Sequence, residues 1–441
     1  MAFAFAPLGG HAATAPRPAP TTLAVVGARV LPSPDAPAIP DGVVVVRDGR
    51  VAAVGPRERV RVPRGATRID AAGGTLVAGF WNSHVHLIAD DVMGADAAPA
   101  ARLDDWLRET FTRRGFTTVF DVASPLPNTL ALRARIASGE IVGPRILTVG
   151  DPFYPQGGTP IYVRDFYRRY SVPSGEVATP EGARERAVAQ LARGADGVKL
   201  FTGAIVGRPE GVRPMRTDVA AAAAAPARDA GLPVFAHPTD LRGLNIALDA
   251  GVTALAHTTP EDGPWPEGVA KRVADAHVAL VPTLTLFEVE LAKDGVPAPI
   301  RQRLLSAAQQ QVRSLLAAGG DVLFGTDVGF IQEADTAIEF RLLAGAGLDA
   351  RAMLRTLTTA PAARFERGRR SGRVAPGYAA DLVLLDGDPE ERVEALAAVR
   401  CTIRDGRIVY GGPACASVEP QRGDRVGIEL PQHVEEARAQ R

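Results

Sequence analysis

The sequence predicts an α/β protein: a (β/α)8 TIM barrel with a small β-sandwich domain formed from both chain ends. Three observations lead there. Short apolar segments alternate with helix-forming stretches through the middle of the chain. The same Arg-Asp-Gly-Arg turn, at 47–50 and 404–407, stands near both ends. A chain of 441 residues is also too long for one ordinary domain and suits a barrel plus a smaller module.

Residues 1–20 are rich in Ala, Pro and Phe and read as a disordered extension. Ala12-Ala13-Thr14-Ala15 has the look of a signal-cleavage site, but a charged n-region and a continuous h-region are missing. The expected compartment is therefore the cytoplasm; the alternative is a trimmed export signal, with a periplasmic or secreted protein. Residues 21–78 form the first part of the β-sandwich domain. Val43 to Val46, Asp48-Gly49, then Val51 to Val54 reads as strand, tight turn, strand. Residues 369–415 form the second part, with a strand ending at Leu385 and a hairpin around Asp405-Gly406. Residues 416–441 are a polar tail.

Between them, residues 79–368 form the barrel. Its candidate strands end at Ser83–His86, Asp121, Val149, Phe201, His237, His257, Thr285 and Asp327. One helix starts at Thr179-Pro180, an N-cap followed by proline at the first helical position, and stops at Gly194. Others fill Thr217–Gly231 and Arg301–Ala318.

Lys plus Arg and Asp plus Glu both number 50, so the chain has no basic excess to attract nucleic acid or an anionic membrane surface. No apolar run is long enough for a transmembrane helix. Cys401 and Cys415 read as two unrelated thiols, since a disulfide fits only an oxidising compartment. Two cysteines do not make a thiolate zinc site, so any metal must take N and O ligands.

The chemistry-bearing residues fall at strand ends. His84 and His86 sit at i and i+2 after an apolar run, so both point to one face of a strand. Lys199 lies in the apolar segment Gly197–Phe201, where burial favours the neutral amine. A neutral amine adds CO2 to give a carbamate; arginine cannot, because its guanidinium stays protonated. His237, His257 and Asp327 each close an apolar strand. In a barrel these strand ends converge on one face. The remaining histidines, 11, 277 and 433, fall outside this pattern.

With these residues the chain resembles the amidohydrolase superfamily, and within it the imidazolonepropionase-like and Xaa-Pro or Xaa-Arg dipeptidase branch. The resemblance implies a binuclear centre: His84, His86 and Asp327 on one divalent ion, His237 and His257 on a second, carboxylated Lys199 and a hydroxide bridging them. Zinc is the default ion. The implied reaction is cleavage of an amide or peptide C–N bond of a small substrate by that hydroxide, with Asp327 as proton shuttle. Imidazolonepropionases lack the carboxylated lysine, so Lys199 points to the dipeptidase-like side. Pro238-Thr239-Asp240 after His237 lacks the tyrosine that some dipeptidases carry there, which sets classical dipeptide specificity aside. Tyr154, Tyr162 and Thr258 are the candidate substrate contacts; Arg164, Arg168 and Arg169 read as a solvated helix face, with binding of a substrate carboxylate the alternative. A lactone or organophosphate hydrolase is the alternative on the same site, and a non-catalytic scaffold the less favoured one. A homo-oligomer is compatible with either.

Overall fold

A computed structural model describes residues 22–366, 370–411 and 415. The expected N-terminal extension and C-terminal tail, with His11 and His433, lie outside the described residues.

Both chain ends build one eight-stranded sheet. Its order is Arg407–Gly411, Val399–Arg404, Leu382–Asp386, Gly74–Ala78, Thr22–Val30, Ile39–Arg47 and Arg50–Pro56, with Thr67–Asp70 also paired to Thr22–Val30. The two halves meet where Leu382–Asp386 runs antiparallel to Gly74–Ala78, Leu382 opposite Ala78. Leu23–Val26 pairs with Thr67–Asp70, whereas Arg29–Val30 pairs with Thr75–Leu76. The change of partner falls at Gly27, whose φ of +87° admits no ordinary side chain without strain. Burial along several of these strands is nearly continuous, not alternating. Val44, Val46, Leu76, Leu382, Leu384 and Ile403 share one apolar cluster.

The two predicted Asp-Gly turns form as expected. Asp48 and Gly49 have φ of 50° and 75°, Asp405 and Gly406 of 51° and 73°. Both central residues are left-handed, the backbone that matches strand twist in a two-residue hairpin. The turns also lean on each other through Ala380: its N–H donates to the Gly49 carbonyl at 2.8 Å, and its carbonyl accepts from Gly406 N–H at 2.9 Å.

The reading of Cys401 and Cys415 as unrelated thiols is corrected. The structure joins them in a disulfide, Cα atoms 5.9 Å apart. Cys401 pairs with Gly411 across the last hairpin, so a chain passing Gly411 brings Cys415 back alongside it. Spacing in the sequence did not reveal this because the hairpin register sets it.

The middle of the chain carries two parallel sheets of three and four strands. Phe80–Val85, Phe116–Asp121 and Arg145–Thr148 form one; Val198–Phe201, Val234–His237, Ala254–Ala256 and Ala279–Val281 form the other. Most of their strands are buried on both faces, which is why they read as apolar runs rather than alternating patterns. Single bridges join the sheets and the segments beside them: Phe153 to Leu200, Leu280 to Val322 and Val85 to Val328.

Two expected strands differ. The segment expected to end at Thr285 stops at Val281; Thr283 then turns left-handed (φ 47°) into the helix Leu284–Lys293. The segment expected to end at Asp327 is held by bridges and single bonds, such as Ser83 N–H to the Phe324 carbonyl at 2.8 Å, not by a strand ladder. Gly325 explains the close approach, since a Cβ there would stand 2.3 Å from a Val281 methyl and 2.8 Å from the His84 Cβ. The three predicted helices appear as Pro180–Ala192, Thr217–Asp229 and Ala298–Ala317, and Thr179 Oγ1 caps the first by accepting from Gly182 N–H. Among the described residues, no helix is long and apolar enough to cross a membrane.

Candidate active site

Strand ends deliver the predicted residues to one cavity of 510 Å³. His86, Lys199, His237, His257 and Asp327 line it, and His84 lies directly behind them, fully buried. His84, His257 and Asp327 bring one ligand atom each within 4.8 Å of the others. His86 Nε2 stands 3.3 Å from His84 Nε2 and 2.8 Å from Asp327 Oδ1. His237 joins through ring contact with His257, centroids 4.7 Å apart, and stacks on Phe201.

Hydrogen bonds fix which imidazole nitrogen faces the cavity. Thr283 Oγ1 donates to the Pro282 carbonyl at 2.8 Å, so its lone pair must accept from His257 Nδ1–H at 2.6 Å. His86 Nδ1–H donates to the Ala123 carbonyl at 2.9 Å. In a neutral ring the second nitrogen is then an acceptor. Nε2 of His257 therefore presents a lone pair toward the Asp327 carboxylate 3.9 Å away, and the His86 Nδ1–H bond turns its Nε2 to the same carboxylate at 2.8 Å. Burial holds His84 down to about 3 and His237 and His257 well below the usual imidazole value, so these rings are neutral. Lone pairs converging on a carboxylate repel unless a cation lies among them. Lys199 Nζ and Thr258 Oγ1 are buried with no hydrogen-bond partner, and Asp327 Oδ1 meets the imidazole nitrogens of His84 at 3.1 Å and His86 at 2.8 Å.

The surroundings that aim these groups were mostly missed from sequence. Asn82 holds the His84 strand to the Asp327 segment: its Nδ2 donates to Thr326 Oγ1 at 2.8 Å, and its Oδ1 accepts from His84 N–H at 3.2 Å. A polar residue inside an apolar strand was the available signal. Buried Asp121 accepts from Ser124, Thr129 and Thr148 hydroxyls, fixing the loop whose Ala123 carbonyl orients His86. Glu339 accepts from Leu284 and Thr285 N–H and from Thr285 Oγ1. It anchors the helix that follows Thr283, while burial pushes its carboxyl up to about 7. Its partners lie 54 residues and more away, so no local pattern announces it.

Thr283→Val is expected to release Nδ1 of His257 and loosen metal retention roughly 10- to 100-fold, as lost outer hydrogen bonds to metal-binding histidines do. Competition with a graded chelator measures it; retention equal to the parent protein would count against the tautomer assignment.

Tyr154, Tyr162 and Thr258 all line the cavity. Tyr154 is buried and its hydroxyl pairs with Tyr167 at 2.8 Å. Tyr162 packs edge-on against Phe330 and is partly exposed. Arg168 pairs with Asp165, and Arg169 with Asp90 at 2.9 Å; neither reaches the cavity.

An α/β frame that brings imidazoles, a lysine and a carboxylate into one cavity is that of a hydrolase with a candidate metal site. Residues 75–409 match the model of the amidohydrolase family, and the chain belongs to that family. A 5-methylthioadenosine/S-adenosylhomocysteine deaminase of Symbiobacterium thermophilum is 26% identical, over 88% of this chain and 93% of the relative. A solved Xaa-Pro dipeptidase with bound methionine shares 22% identity at a TM-score of 0.75, covering 89% of this chain and 100% of the other. A solved prolidase complexed with N-methylphosphonate-L-proline shares 25% identity at a TM-score of 0.73, with the same coverage of 89% and 100%.

Proposed function

We propose that this chain is a binuclear metal-dependent amidohydrolase that cleaves an amide or peptide C–N bond of a small substrate. The observation that carries the reading is the set of imidazole nitrogens converging on Asp327 beside the partnerless Lys199 amine. That donor set fits divalent ions with N and O preference, zinc first among them. His84, His86 and Asp327 would hold one ion, His237 and His257 the other, and Lys199 as a carbamate would supply the oxygens between them. Bound ions there supply a nucleophile from water at neutral pH and polarise the scissile carbonyl.

The chain's own residues do the rest. Asp327 takes the proton from the attacking water and passes it to the leaving nitrogen as the C–N bond breaks and the C–O bond forms. Tyr162 and Thr258 face the substrate. The relatives named for action on C–N bonds support this reaction over lactone or organophosphate cleavage. The bridges at Phe153, Val322 and Val328 support closure of the parallel strands into a barrel over 79–368. The change of partner at Gly27 supports a sandwich built from 21–78 and 369–415.

The test strips the purified protein of metal, then restores zinc with bicarbonate. About two ions per chain and at least roughly a hundredfold gain in amidase rate are expected against a panel of N-acyl amino acids, aryl amides and dipeptides. Well under one ion per chain after restoration would sink the reading.

A further inference from the structure

The cavity wall constrains the substrate beyond the metal centre. Away from the site residues much of it is aromatic and aliphatic, with Tyr162, Phe166, Phe287 and Phe330 among the lining side chains. Among the described residues, no arginine lines it. Lys293, the one lining lysine among them besides Lys199, pairs with Glu290 at 3.1 Å and is mostly exposed. The nearby arginines are held elsewhere: Arg164 donates to the Thr159 carbonyl, and Arg186 lies over the Phe153 ring and donates to the Pro152 carbonyl. Glu261 and Asp294, both exposed, add two negative charges at the rim.

A substrate carboxylate entering here would lose water without gaining a guanidinium or ammonium partner. It would also approach like charges. An uncharged ring, by contrast, meets aromatic edges and faces suited to offset or T-shaped contact. A volume of 510 Å³ accommodates a substrate of drug-like size.

We propose that the cavity takes an uncharged amide bearing an aromatic ring and selects against a free carboxylate on the substrate. This rests on the amidohydrolase reading for the reaction, though not for the binding preference. A free dipeptide or N-acyl amino acid carries the disfavoured group.

The test compares 4-nitroacetanilide with 4-acetamidobenzoate on the zinc-restored full chain. Nitro and carboxylate groups share shape and differ in charge. Calorimetry measures binding of each, and steady-state kinetics measures turnover. The neutral compound is expected to bind at least tenfold more tightly. That ratio should fall at least threefold in the double variant Glu261→Gln with Asp294→Asn, and also in about 1 M salt, where exposed charges are screened. Equal or tighter binding of the benzoate overturns the proposal. So does a ratio insensitive to both the variant and salt, since the rim charges would then select nothing. Absence of turnover of both compounds alongside the expected binding ratio would count against the hydrolytic reading and leave the binding preference supported.

Discussion

Asp327→Asn is expected to lower kcat for amide cleavage by about a thousandfold, within the range lost when a positioned proton carrier is removed. The change preserves shape. It replaces an acceptor-only carboxylate with an amide that no longer takes a proton from water. The residue is buried and left-handed at φ 64°, a conformation asparagine tolerates better than most side chains, so the fold should survive. Its backbone N–H donates to the His84 carbonyl at 2.9 Å, a bond the substitution leaves in place. The amide also replaces one carboxylate oxygen among the His84 and His86 imidazole nitrogens, so weaker retention of one ion is expected as well. Rates measured at saturating metal separate the two effects. A loss below tenfold under those conditions would remove Asp327 from proton transfer and leave it a ligand only.

The sequence shows the chemistry-bearing side chains more readily than the scaffold that aims them. His84 and His86 are legible because the two-residue period of a strand puts both on one face, whatever the rest of the fold does. Lys199 is less legible: alone it reads as a strand-end lysine with its head in solvent, and only the other strand-end residues draw attention to it, whereas the structure buries it fully. His257 is expected at a strand end and in fact lies one residue beyond Ala254–Ala256, at φ 78°. That left-handed step has no local signature, because the partner that holds the ring, Thr283, lies 26 residues further along the chain. The absence of a ladder at the last expected strand has a similar origin. Val322–Asp327 has the apolar pattern of a strand, but Gly325 lets it press so closely on Val281 and His84 that regular pairing gives way to single bridges. Cys401 and Cys415 read as separate because pairing follows hairpin register, which only Gly411 opposite Cys401 reveals.

Lys199→Ala is expected to cost at least about a hundredfold in rate and to lower metal content from two ions toward one; short carboxylates such as acetate or propionate should restore part of both. The lysine is fully buried on Val198–Phe201, its amine lacks a partner, and the Phe201 ring lies 5.6 Å away. Burial lowers its pKa to about 7. Keeping a bare ammonium there carries a desolvation penalty, which a carbamate shared between cations removes. The proton linkage has a definite sign. Below about 7 the folded chain carries the buried charge and is penalised; above it the folded chain is neutral while the unfolded chain stays protonated up to the ordinary lysine value. The unfolded state then binds more protons, so stability of the metal-free, CO2-free protein rises with pH over that window. Lys199→Met, which keeps the length and lacks the charge, should flatten that rise relative to the parent in urea unfolding. Lys199→Arg separates a carbamate from a simple cation: a guanidinium adds no CO2, so this variant should stay inactive with or without added carboxylate. An arginine variant with parental rate and two bound ions would show that position 199 contributes only positive charge, and the bridging role would fall.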